Sequence, residues 1–160
     1  YGWERPAISE EPGVNSRLDP LQAALLRVKL HRLEAHNRHR QAIAAVYREH
    51  LAGQAHVQLP AEADERAEPV YHQFVVQLPA PQRDAVRTRL AELGVGTLLH
   101  YPMAAHQMPA YRAVTVDPVG LPATEALLPR ILSLPMGPHL SLDQAAQVVE
   151  RLAQAMKDTD

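Results

Sequence analysis

The amino-acid sequence predicts an α/β or α+β fold in which a small sheet of about three strands is covered by helices. Two observations carry this prediction. Segments whose apolar residues recur at helical spacing alternate with short runs rich in valine, leucine and aromatic residues. Proline and glycine clusters separate these segments. The resulting order is long helix, strand, helix, strand, short helix, strand and helix, which favours a layered structure over a helical bundle.

The long helix is predicted to begin next to Asp19, whose side chain can cap it, with Pro20 at the first helical position, where no N–H group is needed. Apolar residues then recur at helical spacing as far as Leu51. A helix over residues 19–52 would be roughly 50 Å long, so we expect it to link two bodies or to kink. The apolar stripe lapses over residues 34–40, where we place the exposed or bent part.

The predicted elements that follow are shorter. Gly94 is expected in the left-handed conformation that often ends a helix, and Ser141 with Gln144 forms a capping box for the last helix. The helices are predicted over residues 82–93, 123–128 and from 142 onward, and the strands over 70–78, 95–100 and 131–134. The inward-facing side chains of the first strand would be Val70, His72, Phe74, Val76 and Leu78.

Charge and composition exclude several functional classes. Sixteen basic and eighteen acidic residues give a formal charge of −2, so the chain lacks the electrostatic footprint of a protein that binds nucleic acid or anionic membranes. There is no cysteine, which excludes a disulfide scaffold and is compatible with a cytoplasmic protein. No apolar run is long enough to predict a membrane span. The chain begins at Tyr1 rather than at methionine, so we expect it to be a piece of a longer protein.

Nine histidines raise the question of a metal site. His36 and His39 lie one helical turn apart, but Arg38 and Arg40 beside them would repel a cation, and zinc sites need further ligands. We therefore predict no metal site and place this histidine pair on a solvated helix face. His72, on the inward face of a strand, is predicted to be a hydrogen-bonded core histidine rather than a catalytic one.

Two small polar clusters remain as candidate sites, because the sequence has no cysteine nucleophile, no Gly-x-Ser-x-Gly motif and no glycine-rich phosphate loop. Asn15 and Arg17, just before the long helix, could bind a phosphate, Arg17 through its charge and Asn15 as a neutral donor. The alternative is that Asn15 stabilises a turn and Arg17 pairs with the acidic start of the helix. His100 and Tyr101 form the second cluster, at the end of a predicted strand.

A series of short motifs resembles, in the same order, the C-terminal region of DegT/StrS-type PLP-dependent nucleotide-sugar aminotransferases. The resemblance covers nearly the whole chain, and its most specific part is the Asn-x-Arg motif with the Gln-Ala-Ala that follows it. The motifs are GVNSRLD at residues 13–19, QAA at 22–24, KL at 29–30, VYHQFVV at 70–76, RD at 83–84, GVGTLLHYP at 94–102, PAY at 109–111 and LSLPMGPHLS at 132–141.

This resemblance implies the small domain of a fold-type-I aminotransferase. Residues 1–18 would be the end of the large domain and an interface loop, 19–52 the long linking helix and 53–160 the C-terminal small domain. In the family, the lysine that forms a Schiff base with PLP lies upstream of the Asn-x-Arg motif. This chain would therefore hold no catalytic residue, and neither Lys29 nor Lys157, its two lysines, is given that role. PLP would be bound mainly by the missing N-terminal domain.

The resemblance also implies a cytoplasmic homodimer whose active sites are shared between subunits. Asn15 would reach the PLP phosphate of the partner subunit. Arg17, His100 and Tyr101 would contact the substrate, a keto-deoxysugar linked to a nucleoside diphosphate, which receives an amino group from glutamate or glutamine. The chain alone would be inactive. The alternatives are a stand-alone sugar-nucleotide-binding or dimerisation module, and part of a PLP-dependent sugar dehydratase of the same family.

Overall fold

The computed structural model describes residues 3–5, 8–9, 17–62, 66–109 and 120–159, the first two ranges by their backbone alone. Asn15, one of the predicted phosphate-binding residues, lies outside the described residues. The chain forms two compact units, Tyr1–Ala35 and His36–Asp160. No helix among the described residues combines the length and the apolar character needed to cross a membrane.

Among its described residues, the first unit contains a pair of short strands followed by a helix. Strands β1 (Trp3–Arg5) and β2 (Ile8–Ser9) pair antiparallel. Helix α1 (Pro20–Leu30) begins at Asp19, whose carboxylate accepts hydrogen bonds from two backbone N–H groups of the first turn, at 2.8 and 3.3 Å. The predicted cap is therefore confirmed. None of the α1 side chains is buried, although seven of the eleven residues are leucine, valine or alanine.

The predicted long helix is interrupted. Helix α2 (Leu33–Leu51) starts shortly after α1 ends, and between the two the N–H of Arg32 donates to the carbonyl oxygen of Lys29 in a tight turn. The break thus lies at residues 31–32, earlier than the predicted stretch over 34–40. Residues 34–40 instead form regular helix, and several of them are half-buried. His39 is one example, because its imidazole contacts the Leu140 carbonyl oxygen within the second unit.

The second unit is built on an antiparallel sheet whose central pair is β3 (Phe74–Gln77) and β4 (Ile131–Leu134). Strand β3 is shorter than predicted, because Tyr71 adopts a φ of +47°, in the left-handed region, and the strand begins only after it. His72 is consequently exposed, and its predicted place in the core is wrong.

The predicted alternation agrees with the structure from Phe74 onward, and the predicted inward position of Val70 is wrong. Phe74, Val76 and Leu78 are buried, whereas Val70 is exposed. The inward face of this segment therefore starts two positions later than His72. Phe74 lies opposite Leu134 in the register, and both belong to the hydrophobic core.

Two isolated bridges widen the sheet. Gln58 pairs with Gln77 beside β3, and Leu98 pairs with Ser133 beside β4. The Leu98–Ser133 pair exchanges two N–H···O bonds, of 3.2 and 2.9 Å. The three predicted strands therefore meet in one sheet, as expected, but the segment over 95–100 contributes a single bridge, and the pairing of Gln58 was not predicted.

Helices α2, α3 (Arg83–Glu92) and α5 (Leu142–Asp158) supply most of the core around this sheet. Helix α3 packs against α5 and against β4. Gly94 follows α3 with a φ of +79°, and the capping box of Ser141 and Gln144 opens α5, so both predictions are confirmed.

A short helix, α4 (Pro122–Leu127), precedes β4, and a 3-10 turn spans Ala105–Gln107. The core itself draws on every longer element of the second unit. Its largest fully buried side chains are Tyr47, Phe74, Ile43, Leu51, Leu78, Leu90, Leu132, Leu152, Val76 and Val86.

Candidate functional site

The Leu98–Ser133 bridge brings one predicted site residue onto the sheet. His100 follows Leu98 by two residues, and its Nδ1 lies 2.9 Å from Oγ of Ser133. Ser133 is only 4% exposed, so its hydroxyl is an anchor fixed by the strand rather than a mobile surface group. The sheet edge therefore fixes the His100 ring through both backbone pairing and a side-chain hydrogen bond.

His100 borders a cavity of about 370 Å³, which we call the histidine cavity. Its size falls within the range of small-molecule sites in proteins. Its polar lining consists of three imidazoles, one amide and one hydroxyl, with no carboxylate, lysine or arginine. The residues that line the histidine cavity are His72, Gln73, Gly96, Leu98, His100, Ser133, Leu134, Pro135, Met136 and His139.

On its other side, His100 borders a second and larger cavity of about 630 Å³, which we call the apolar cavity. Tyr101 lines it and is 65% exposed, so its phenol is accessible to a ligand. The rings of His100 and Tyr101 meet edge to face, with centroids 5.8 Å apart. The apolar cavity is lined by Val75, His100, Tyr101, Met103, Ala104, Ala105, Met108, Thr124, Leu127, Leu128 and Ile131.

One wall of the histidine cavity is the loop of residues 135–140, which joins β4 to α5. Two side chains of α2 contact its ends. The hydroxyl of Tyr47 donates to the Pro135 carbonyl oxygen at 2.6 Å, and Nε2 of His39 donates to the Leu140 carbonyl oxygen at 2.7 Å. Burial raises the pKa of the Tyr47 phenol, so the phenol remains a proton donor. The prediction that His39 lies on a solvated face is therefore wrong.

In the same loop, the imidazole of His139 lies close to the backbone of Gly137. A Cβ added at Gly137 would lie 2.8 Å from Cε1 of His139, closer than side chains approach one another. Glycine at this position therefore leaves room for the imidazole of His139 beside the cavity. His139 itself is exposed, so the loop rather than burial sets its position.

The structure brings together only part of the predicted site. His100 and Tyr101 line cavities, and their predicted contact with the substrate stays a prediction. Arg17 is exposed and belongs to the first unit, and Asn15 lies outside the described residues. His139 and Ser133 were not singled out as site residues. Both lie within the last of the recognised motifs, which was the available signal for them.

A metal ion does not fit the described residues. No group of three or more histidine, aspartate or glutamate side chains among them could hold one, so the three imidazoles of the histidine cavity are not arranged as a ligand set. A covalently held PLP does not fit either. Lys29 on α1 and Lys157 on α5 are exposed, and neither lines the two cavities. The imidazole, hydroxyl and phenol groups suit hydrogen bonds to a polar organic ligand instead.

Comparison with known proteins identifies relatives over the whole chain. Residues 2–153 match the DegT/DnrJ/EryC1/StrS aminotransferase family. The chain is 39% identical to dTDP-3-amino-3,4,6-trideoxy-α-D-glucose transaminase of Streptomyces venezuelae, in an alignment that covers 100% of this chain and 41% of that protein. It is 44% identical to a UDP-N-acetyl-3-dehydro-α-D-glucosamine 3-aminotransferase of Acidithiobacillus ferrooxidans, with 85% of this chain and 35% of that protein covered.

Solved structures agree with these relatives. The crystal structure of Streptomyces venezuelae DesV in complex with a ketimine intermediate matches with a TM-score of 0.86 and 39% identity, covering 100% of this chain and 42% of that one. NtdA of Bacillus subtilis, with bound cofactor PMP, matches with a TM-score of 0.77 and 27% identity, covering 91% of this chain and 34% of that one. The chain thus spans about two fifths of the length of the curated relative from Streptomyces venezuelae. The resemblance found in the sequence is confirmed: this chain belongs to the DegT/DnrJ/EryC1/StrS aminotransferase family.

Proposed function

We propose that this chain is the C-terminal small-domain part of a PLP-dependent sugar aminotransferase. The intact enzyme transfers an amino group from glutamate or glutamine to a keto-deoxysugar linked to a nucleoside diphosphate. The observation that carries the proposal is the alignment of the whole chain, at 39% identity, with two fifths of a sugar transaminase. In the intact enzyme, PLP supplies the electron sink for the transfer and is held mainly by residues outside this chain.

The two cavities support a role in binding the sugar substrate. His100 is held by Ser133, and Tyr101 presents an accessible phenol beside it. Phenol and imidazole groups can donate and accept hydrogen bonds, which suits sugar hydroxyls and phosphate oxygens. Arg17 is assigned to the same substrate, and Asn15 to the PLP phosphate of the partner subunit, on the family resemblance.

The chain alone is proposed to be inactive as a transaminase. Neither of its two lysines lines the histidine cavity or the apolar cavity, so neither amine is placed to serve chemistry at the His100 site. The domain division of the sequence prediction stands as part of this proposal, with residues 1–18 at the end of the large domain, 19–52 as the linking segment and 53–160 as the small domain.

The exposed side chains of α1 support the proposed homodimer. Leu21 is 70% exposed and Leu25 60%, and Leu26, Val28 and Leu30 are also exposed. Monomeric proteins rarely expose so many large apolar side chains on one short helix. We assign this helix to a contact with another polypeptide surface, in a cytoplasmic enzyme.

Expression of the intact gene tests the proposed activity. The purified protein is expected to show the absorbance of bound PLP and to form an amino sugar from a dTDP-linked keto-deoxysugar in the presence of glutamate. A dehydrated, nitrogen-free sugar product would instead identify the dehydratase alternative. A protein that shows no PLP absorbance and forms neither the amino sugar nor the dehydrated sugar would contradict the proposed function.

The substitution Asn15→Ala tests the phosphate assignment in the intact dimer. Loss of the hydrogen bond from the Asn15 amide to the charged phosphate is expected to weaken PLP retention about tenfold or more, since one hydrogen bond to a charged group contributes about 1.5 kcal/mol or more. Cofactor retention during dialysis, followed by absorbance, measures the effect. Asn37→Ala, on α2, is the matched control. Equal retention by the two variants would remove Asn15 from the cofactor site.

The substitution Tyr101→Phe tests the sugar contact. Removal of the phenol is expected to raise KM for the nucleotide sugar by about fivefold, the effect of one neutral hydrogen bond, while the rate with glutamate alone stays unchanged. Steady-state and half-reaction kinetics separate these effects. Tyr71→Phe is the control, because Tyr71 packs against Phe74 and lines neither cavity. An unchanged KM for Tyr101→Phe would contradict the assignment.

A further inference from the structure

We infer that Tyr47 and His39 are positioning residues for ligand binding: they fix the loop of residues 135–140, and thereby place His139 and Met136 at the histidine cavity. The inference rests on the proposed function, because that proposal makes the histidine cavity part of the sugar-binding site. It adds two residues of α2 that line neither cavity and that lie in none of the recognised family motifs.

Tyr47 fixes the first end of the loop. Its side chain is fully buried, and its ring lies 5.1 Å from that of Phe74, centroid to centroid. A phenol buried in this way needs a partner for its hydroxyl, and the partner is the Pro135 carbonyl oxygen at 2.6 Å. Pro135 immediately follows β4, so this bond sets the direction in which the chain leaves the sheet.

His39 fixes the second end. Its Nε2 lies 2.7 Å from the Leu140 carbonyl oxygen. A carbonyl oxygen can only accept, so Nε2 carries the hydrogen and the imidazole is the donor. His39 precedes Tyr47 by eight residues, roughly 12 Å along the axis of α2, so one rigid helix holds both ends of the loop.

Between these two points the loop has few hydrogen bonds of its own. Pro135 and Pro138 have no N–H group to donate. The described backbone bond within the loop runs from the Leu140 N–H to the Gly137 carbonyl oxygen, at 3.1 Å. Met136 and Leu140 pack against the hydrophobic core, and the two hydrogen bonds from α2 add polar contacts at both ends of the loop.

Hydrogen exchange of the intact protein tests the positioning directly. In Tyr47→Phe and in His39→Leu, the Leu140 amide proton is expected to exchange about fivefold faster, the effect of one lost hydrogen bond on a local opening, while the amide of Val149 in the core of α5 is unaffected. His39→Gln keeps a donor and is expected to restore slow exchange. The controls are Tyr71→Phe and His50→Gln, since the described hydrogen bond of the His50 imidazole stays within its own helix, to the Val46 carbonyl oxygen.

Kinetics of the same variants test the consequence for binding. Tyr47→Phe and His39→Leu are expected to raise KM for the dTDP-linked keto-deoxysugar about fivefold, with the glutamate half-reaction unchanged. Unchanged Leu140 exchange in both variants overturns the inference, and so does faster exchange with an unchanged KM. If the wild-type protein has no transaminase activity but the exchange response is present, the proposed function fails while the positioning of the loop is supported. His39→Leu, at a half-exposed site, keeps the test available if Tyr47→Phe does not fold.

Discussion

Helices α1 and α5 differ in what their apolar side chains contact. Each follows a residue whose side chain caps the helix, Asp19 for α1 and Ser141 for α5. In α5, one face is buried against the second unit, with Ala145, Leu152 and three further side chains in the core. In α1, none of the side chains is buried, and its leucines are exposed. Good local signals are therefore common to both helices, but only α5 is stabilised by packing within this chain.

The comparison separates two reasons for an apolar residue in a helix. In α5 the apolar side chains hold the second unit together. In α1 they form a surface that the described residues leave exposed, which is the pattern of a helix that packs against another polypeptide. Most helical stability in proteins comes from packing of an apolar face, so α1 is expected to depend on a contact that α5 does not need.

The largest expected difference between the helices lies in their leucines. Leu152→Ala, at a fully buried site in α5, is expected to lower the free energy of unfolding of the second unit by about 2 to 5 kcal/mol, because the substitution leaves a cavity. Leu25→Ala, at a 60% exposed site in α1, is expected to change it by less than about 0.5 kcal/mol. Urea denaturation followed by circular dichroism measures both. Equal losses would show that α1 packs within the folded chain.

The sequence predicted the existence of both helices because caps and apolar spacing are local. It did not show what covers α1. The apolar side chains of α5 lie on one face of the helix, whereas those of α1 are spread around it, and neither pattern identifies the surface that the helix contacts. The sequence prediction also started β3 four residues too early, because the left-handed backbone at Tyr71 has no simple sequence signal.

The site was predicted in part for a similar reason. His100 and Tyr101 stand in a recognised motif, so the resemblance placed them together before the structure did. Tyr47 falls in the stretch where apolar residues recur at helical spacing as far as Leu51, and a buried phenol needs a hydrogen-bond partner; that need was the overlooked signal. The acceptor for His39 lies 101 residues away in the sequence, beyond the reach of any local pattern.

The exposed face of α1 leads to a second, smaller prediction. At high concentration the chain is expected to self-associate through α1, and Leu25→Glu is expected to weaken this association at least tenfold, because a charge replaces apolar area that would be buried. Sedimentation velocity over a concentration series measures it. Leu142→Glu, at an exposed leucine of α5, is the matched control. A similar effect of both variants would mean that α1 is not the specific contact.

Substitutions of the two capping residues are expected to give the smallest difference between α1 and α5, and the most local one. Ser141→Ala removes the side-chain bond to the Gln144 N–H, at 3.1 Å, and is expected to lower the free energy of unfolding of the second unit by about 1 kcal/mol, because α5 is part of its core. Asp19→Ala removes the corresponding bond to the Leu21 N–H, at 2.8 Å. Because α1 has no buried side chain to couple it to the core, this loss is expected to appear as faster amide exchange in the first turn of α1, with the unfolding midpoint unchanged. A midpoint lowered equally by the two variants would show that α1 unfolds together with the second unit, and that packing does not distinguish the two helices.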